Sequence, residues 1–154
     1  MTSKLFFLLF LFSLGTLNAQ EQKKLDNNYG FLDIILESTM LPGDSMILLQ
    51  KTSTIDFYKK KGEPLMLDDI KLHEIVYGYT NNQLYFIIVR VHGKANSMQL
   101  LKYLQNEYGK GHRHNSSKEK YTWFAKTAGM VYEFKDLIES AEVYLFSKKL
   151  YVPQ

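Results

Sequence analysis

The chain has 154 residues, of which 19 are lysine or arginine and 16 are aspartate or glutamate. The formal net charge of +3 falls to +2 without Lys4, a field too weak to indicate a nucleic-acid-binding protein. There is no cysteine, which excludes a disulfide framework and a lipid anchor on a cysteine thiol, so stability must come from packing.

Residues 1–19, MTSKLFFLLFLFSLGTLNA, have the three-part pattern of a secretory signal peptide. Lys4 supplies the positive charge, an apolar run extends from Leu5 to Leu14, and the small Ala19 precedes the expected cut. A permanent transmembrane helix needs about 20 apolar residues, so an uncleaved anchor is the less favoured alternative. We expect a periplasmic or secreted protein, cleaved after Ala19, with no transmembrane segment after processing. The absence of disulfides favours a bacterial envelope protein.

The remaining chain is the size of one domain. Residues 20–28 are polar without an apolar period, which predicts a flexible N-terminal lead, and residues 29–154 are expected to form a single domain. All eleven tyrosines and the single tryptophan lie in this part, a composition that favours β structure.

The first half of the domain is predicted to contain short elements. A strand is expected over 29–37 and a turn over 42–44. We predict a short helix over 45–50 because Ser45 can cap it, with a buried strand as the alternative. Another strand is expected over 54–60.

The clearest hairpin pattern follows. Strand-like runs at 70–79 and 84–91 flank the sequence TNNQ, whose asparagines tolerate the left-handed backbone of a tight turn. Alternation in the first arm requires a bulge near His73 and Glu74. The second arm is apolar on both faces, which predicts a central strand covered by a helix on one side.

Residues 97–108 predict the long helix, with Asn96 as N-terminal cap and Gly109 ending it. One apolar stripe is expected to face the core. It consists of Met98, Leu101, Leu104 and Tyr108.

Three strands are expected to close the chain, at 120–126, 130–135 and 141–147. Residues 44–91 and 97–147 then share a helix-plus-three-strands pattern, an architectural pseudo-repeat. The predicted fold class is α+β, mainly an antiparallel sheet with one long and one short helix packed on one face.

The candidate binding site lies around the basic loop 109–120, since loops of this length are often functional. If Tyr121 and Trp123 on the following strand faced solvent, they would provide an apolar anchor for an acidic partner. We favour the alternative, in which Trp123 faces the helix as a core residue under a solvated loop. The candidate residues are Lys110, His112, Arg113, His114, Lys118, Tyr121 and Trp123.

Motifs for catalysis or metal binding are absent from the sequence. His112 and His114 could ligate zinc or copper, but no third ligand can be placed beside them and Arg113 adds a positive charge. The nucleophile elbow, the H-E-x-x-H motif and the glycine-rich phosphate motifs do not occur. We therefore expect no metal, no cofactor and no enzymatic activity.

Four segments carry a resemblance that covers most of the chain after residue 19: YGFLDIIL, NNQLYFIIV, LLKYLQNEYGK and YTWFAK. They resemble small exported proteins of Gram-negative bacteria. The doubled layout is also similar to the β-lactamase inhibitor protein and to small outer-membrane proteins that assist β-barrel assembly. This chain lacks the cysteines of both, and the resemblance implies an architecture without catalytic residues.

The function expected from the sequence is binding of another protein, in the periplasm or outside the cell, through the sheet face or strand edges. The alternative is a binder of a small ligand or an anionic envelope polymer through the 109–120 loop. An enzyme without a recognisable motif is third.

Overall fold

The computed structural model describes residues 24–26, 29–31, 34–41, 43 and 45–150; the expected signal peptide lies outside them. The elements, in chain order, are β1 Tyr29–Phe31, β2 Ile34–Ile35, β3 Met46–Lys51, β4 Asp56–Lys60, β5 Met66–Leu67, β6 Ile70–Lys71, β7 Glu74–Thr80, β8 Gln83–His92, α1 Lys94–Tyr108, β9 His112–Arg113, β10 Lys120–Phe124, β11 Ala128–Lys135, a 3₁₀ helix Asp136–Ile138 and β12 Ser140–Ser147.

Eight strands form one antiparallel sheet in the order β3-β4-β7-β8-β12-β11-β10-β9. Each half of the chain contributes four of them, β3, β4, β7 and β8 from the first half and β9 to β12 from the second. The last strands of the two halves, β8 and β12, pair at the centre, in register from Phe86 opposite Phe146 to His92 opposite Ser140. Two separate small hairpins are formed by β1 with β2 and by β5 with β6.

Helix α1 covers one side of the sheet, which we call the helix face. The hydroxyl of Tyr132 on β11 donates a hydrogen bond to the Ser97 carbonyl oxygen at 3.0 Å. Leu100 and Leu104 of α1 are completely buried among strand residues such as Val89. Burial of this apolar area, at about 25 cal/mol per Å², is the main contribution that holds helix and sheet together.

The central hairpin is confirmed. Asn81 and Asn82 have positive φ angles of 49° and 62°, the backbone that a tight two-residue turn requires. β8 is central and packs against α1, as its apolar faces predict. The irregularity in this pair lies between Gly78 and Tyr79, so the bulge predicted near His73 is wrong, and the chain instead leaves the sheet before β7 to form β6.

The long helix is confirmed, but it starts earlier than predicted. Its first residue is Lys94 and it follows Gly93, whose φ of 84° suits glycine. Asn96 is therefore not the cap; its side-chain amide donates to the His92 carbonyl oxygen at 3.2 Å. Gly109 ends the helix with a φ of 80°, as expected.

The buried stripe of α1 is also rotated from the predicted one. Met98 is exposed and Leu101 only half-buried, whereas Ser97 and Leu100 are buried. The small Ser97 lets the Tyr132 hydroxyl reach the helix backbone, so a polar residue occupies a core-facing position.

The predicted helix over 45–50 is wrong, because Met46–Lys51 is the edge strand β3. The pseudo-repeat therefore holds for the strands and not for a helix at the start of the first half. The predicted strand 29–37 is instead the β1–β2 hairpin followed by a turn, after which Thr39 forms a bridge to Gln83.

In the described part of the predicted N-terminal lead, residues 24–26 are helical and contact the rest of the domain. Leu25 is buried in the core cluster, and Lys24 pairs with Glu107 of α1. Asp26 accepts hydrogen bonds from Thr127 between β10 and β11.

The fold class is confirmed as α+β, mainly antiparallel sheet with one long helix and a short one. In the portion of the chain that is described, no helix has the length and apolar character needed to cross a membrane.

Candidate functional site

The basic loop of the predicted site is a hairpin of β9 and β10. The Arg113 guanidinium donates to the carbonyl oxygens of Ser116 and Lys118, at 2.9 and 3.1 Å, and stacks on Tyr121 with its central carbon 5.6 Å from the ring centre. The Arg113 side chain therefore stabilises the turn between β9 and β10. Lys110 and Lys118 are the solvated lysines of this segment.

Tyr121 and Trp123 lie on the helix face, which is the position that the sequence favoured for Trp123. Trp123 is 6% exposed and its indole nitrogen donates to the Gly109 carbonyl oxygen at 2.8 Å. Gly111 has no room for a side chain, because an added Cβ would lie 2.6 Å from the indole ring. Tyr121 is half-buried against the same core. Trp123 is thus a core residue and cannot anchor a partner from an exposed position.

The two loop histidines occupy the opposite side of the sheet. His112 lies opposite Thr122 in the β9–β10 register, and His114 Nε2 lies 3.1 Å from the Thr122 hydroxyl. The imidazole ring centres are 4.3 Å apart. Throughout the described ranges, histidines and carboxylates form no group of three or more that could hold a metal ion. The structure therefore divides the predicted site residues between two faces.

The face opposite α1, which we call the open face, carries a row of four phenylalanines and two glycines, called the aromatic row below. Facing positions on antiparallel strands point to the same side, so the register places the row directly. It crosses six neighbouring strands, with one residue from each. In order from β4 to β10 these are Phe57, Gly78, Phe86, Phe146, Gly129 and Phe124.

The two glycines of this row make room for phenyl rings that lie flat on the sheet. A Cβ added at Gly78 would overlap the ring of Phe86, and one added at Gly129 would overlap the ring of Phe146. Glycine within a strand commonly marks such a close approach. Phe86 is only 3% exposed as a result, although it lies away from α1.

The aromatic rings of the open face contact one another. Phe86 meets Phe57 and Tyr144 with ring centres 5.6 and 5.1 Å apart, and Tyr144 stacks with Phe146 at 5.3 Å. Burial raises the pKa of Tyr144, with a further contribution from Tyr85, so its hydroxyl stays protonated at neutral pH. The result is a continuous aromatic platform.

A charged row runs parallel to the platform across the same strands. Arg90 on β8 donates from Nε to Glu142 at 2.7 Å and from Nη1 to Glu74, and Lys120 pairs with Glu133 at 3.5 Å. Burial lowers the pKa of Arg90, but the hydrogen bonds to the two carboxylates outweigh it and hold the pKa above its ordinary value. This row has three carboxylates and two cations, a net charge of −1.

The platform is most accessible at its β10 end. Phe124 is 51% exposed, with the Lys148 ammonium 5.4 Å from its ring centre. Phe146 and Tyr144 beside it are partly exposed. A large apolar ring held open to solvent at the end of a row with other partly exposed aromatic residues is typical of a contact surface.

The aromatic row of the open face was not predicted from the sequence, although the sequence contains two features that indicate it. The alternation of Phe86 with Arg90 on β8, and of Glu142 with Phe146 on β12, places aromatic and charged residues on one side. The isolated Gly78 inside a strand was a second signal. Only the register shows that the glycines lie opposite phenylalanines.

No protein-family model matches this chain, and searches of curated proteins and of solved structures found no match.

Proposed function

We propose that this protein is an exported, non-enzymatic binding protein that engages another protein through its open face. The observation that carries the proposal is the aromatic row spanning six strands, which ends in the exposed Phe124. Aromatic residues are enriched at the energetically dominant positions of protein interfaces.

The platform is preorganised, which reduces the entropic cost of binding. Phe86 and Phe146 are held flat over glycine backbone, and their neighbours restrict them further. Phe86 itself is buried, so a partner surface would meet the partly exposed ring of Phe146 already in its bound orientation, and little side-chain entropy would be lost.

The charged row supports a defined chemistry for the partner. Its carboxylates on Glu74, Glu133 and Glu142 outnumber the two cations and lie beside the aromatic platform. The partner is accordingly proposed to bring apolar side chains onto the platform and a lysine or arginine toward the carboxylates. Such charge complementarity contributes to specificity and association rate more than to affinity.

The second expectation, binding of an anionic polymer through the 109–120 segment, has less support. Arg113 is committed to carbonyl oxygens of its own turn, and Trp123 is inaccessible. Lys110 and Lys118 alone form a weak site, because isolated surface charges contribute little.

Export through a cleaved signal peptide is part of the proposal and rests on residues 1–19. The intact mass of protein recovered from the envelope or the medium is expected to correspond to a chain that begins at Gln20. Recovery of the uncleaved chain from the membrane fraction would contradict this part.

The binding proposal is tested with two variants that change the charge equally. Phe124→Asp alters the open face, whereas Asn106→Asp alters the exposed side of α1. The wild type and the two variants are each used to capture partners from envelope extract. The partner protein that the wild type recovers is then purified, and its affinity for the wild type and for each variant is measured by titration.

Phe124→Asp is expected to weaken that titrated complex about tenfold or more, because it replaces the most exposed aromatic contact with a charge. Asn106→Asp should bind as the wild type does. Equal affinity for the wild type and Phe124→Asp, with unchanged circular dichroism, would contradict the proposal.

A further inference from the structure

The edge strand β3 presents apolar side chains on both of its sides. Its sequence is MILLQK, and Ile47, Leu48 and Leu49 are 41%, 50% and 45% exposed. Natural proteins usually protect an edge with charged residues, proline or a covering loop. Here three consecutive large apolar residues stand in solvent at the end of an eight-stranded sheet.

The outer edge of β3 also has backbone groups available for pairing. β3 pairs with β4 from Met46 opposite Lys60 to Lys51 opposite Asp56, with an irregularity between Leu48 and Gln50. Within the described ranges, no strand pairs with its other edge. About half of the N–H and C=O groups of such a strand point outward, where an added strand could bind them.

The surroundings of this edge are basic. Lys59, Lys60 and Lys61 are exposed at one end of the β3–β4 pair, and Lys51 lies at the other, 72% exposed and 3.5 Å from Asp56. Neither Lys59 nor Lys61 forms an ion pair with a described residue. A strand added to β3 would run about 10 Å from β4, within the Debye length at 0.1 M salt.

A cavity of about 330 Å³ opens beside the lysines. Ile47, Leu65 and Ile75 contribute apolar walls, and the charged residues of its lining are Lys59, Lys60, Lys61, Glu63 and Glu74. A side chain near the end of an added strand could enter it.

These observations favour an acidic segment over a second copy of the chain. In an antiparallel two-fold pairing of β3 with itself, the lysine cluster of each copy would lie beside the Lys51 end of the other copy. Asp56, the carboxylate beside the edge, already pairs with Lys51 of its own chain. Like charges that face each other across an interface oppose association.

We propose that β3 binds an extended segment of another protein by strand addition, and that this segment alternates apolar and acidic residues. The backbone of the segment pairs with the outer edge of β3, its apolar side chains contact Ile47 to Leu49, and its carboxylates face the lysines. Strand addition of this kind derives affinity from main-chain hydrogen bonds and specificity from alternate side chains. The site lies at the sheet edge, so it is independent of the proposed function of the open face.

The probe is a short synthetic peptide in which valine alternates with glutamate. Two control peptides carry lysine in place of glutamate, or proline in place of the central valines, which removes backbone donors. Binding to the purified protein is followed by the NMR shifts and the hydrogen exchange of backbone amides in residues 46–51, with β9 as the reference edge.

The acidic peptide is expected to slow amide exchange in β3 and to leave β9 unchanged, while neither control peptide does so. Lys59→Glu combined with Lys61→Glu should weaken binding about tenfold, because the reversal removes two attractions and also places carboxylates against those of the peptide. Lys94→Glu with Lys102→Glu changes the net charge equally on α1 and should leave binding unaltered. Phe124→Asp should also leave it unaltered, which separates this site from the open face.

Three results would overturn the proposal. These are no protection of β3 by the acidic peptide, equal binding of the lysine peptide, and protection of β3 that rises with protein concentration in the absence of peptide. The last result would assign the edge to a second copy of the chain.

Discussion

The phenyl ring of Phe86 lies directly on the backbone of Gly78 in the neighbouring strand, where any β-carbon would overlap it. Phe146 and Gly129 repeat this relationship on the other side of the central strand pair. Both halves of the sheet thus use a phenylalanine opposite a glycine to lay an aromatic ring flat on the open face. The aromatic platform depends on the absence of two side chains as much as on the presence of its rings.

Gly78→Ala is therefore expected to destabilise the protein by about 1–3 kcal/mol, the usual cost of overfilling a packed site. The added methyl group must displace the ring of Phe86. Chemical denaturation measures the loss, and the same substitution in a Phe86→Val background is the control. The cost should fall markedly there, and an unchanged cost would show that the ring is not what excludes a side chain at Gly78.

Asp26 links the helical residues 24–26 to the turn between β10 and β11. The Thr127 backbone N–H and hydroxyl donate to its carboxylate at 2.6 and 2.9 Å. Burial raises the pKa of Asp26, but these bonds, the Lys126 backbone and the charge of Lys148 together hold the pKa below its ordinary value of 3.8.

The ionised Asp26 therefore stabilises the fold above pH 3.8, and this contribution is lost as the pH falls through the lowered pKa. Asp26→Asn is expected to reduce the free energy of unfolding by about 1 kcal/mol at pH 7. Thermal unfolding at several pH values checks this, since the gap between wild type and variant should narrow toward pH 3. A gap that stays constant with pH would contradict the role of the charge.

Glu63 is expected to have the opposite pH dependence. Burial raises the pKa of its carboxyl group above 4.5, while the hydrogen bond from the Tyr77 hydroxyl and the charge of Lys60 lower it by less. The folded state therefore favours the protonated form, and stability falls as the pH rises from 4.5 through the raised pKa.

Glu63→Gln keeps an acceptor for Tyr77 without a charge. We expect the variant to gain in melting temperature relative to the wild type between pH 4 and pH 8, as the wild-type carboxyl ionises. Calorimetry at both pH values measures the difference. A larger advantage of the variant at pH 4 would refute the assigned cause.

The sequence predicted the elements whose pattern is local. The hairpin around Asn81 and Asn82 follows from residues that tolerate left-handed backbone, and α1 follows from apolar spacing ended by Gly109. β3 was misassigned because an edge strand that is apolar on both sides has no period of two. β3 is exposed because the order of the strands places it at the edge of the sheet, and that order cannot be predicted from a short stretch of sequence.

The alignment of the aromatic row on the open face could not be predicted for a related reason. Its row is assembled from residues far apart in sequence, such as Phe57 and Phe124, and the register that aligns them depends on all the intervening strands. Trp123 shows the converse case. Its position in the core was favoured from the sequence, but the contacts that hold the indole, with the Gly109 carbonyl oxygen and with Gly111, appear only in the structure.

The most direct test of binding through the open face is site-specific photo-crosslinking in cells that express the protein. A benzophenone amino acid replaces Phe124 on the open face or Asn106 on the exposed side of α1, and covalent adducts are identified by mass spectrometry after irradiation. The account predicts one discrete protein adduct from position 124 that is absent from position 106. The same adducts from both positions, or none from position 124, would contradict binding through the open face.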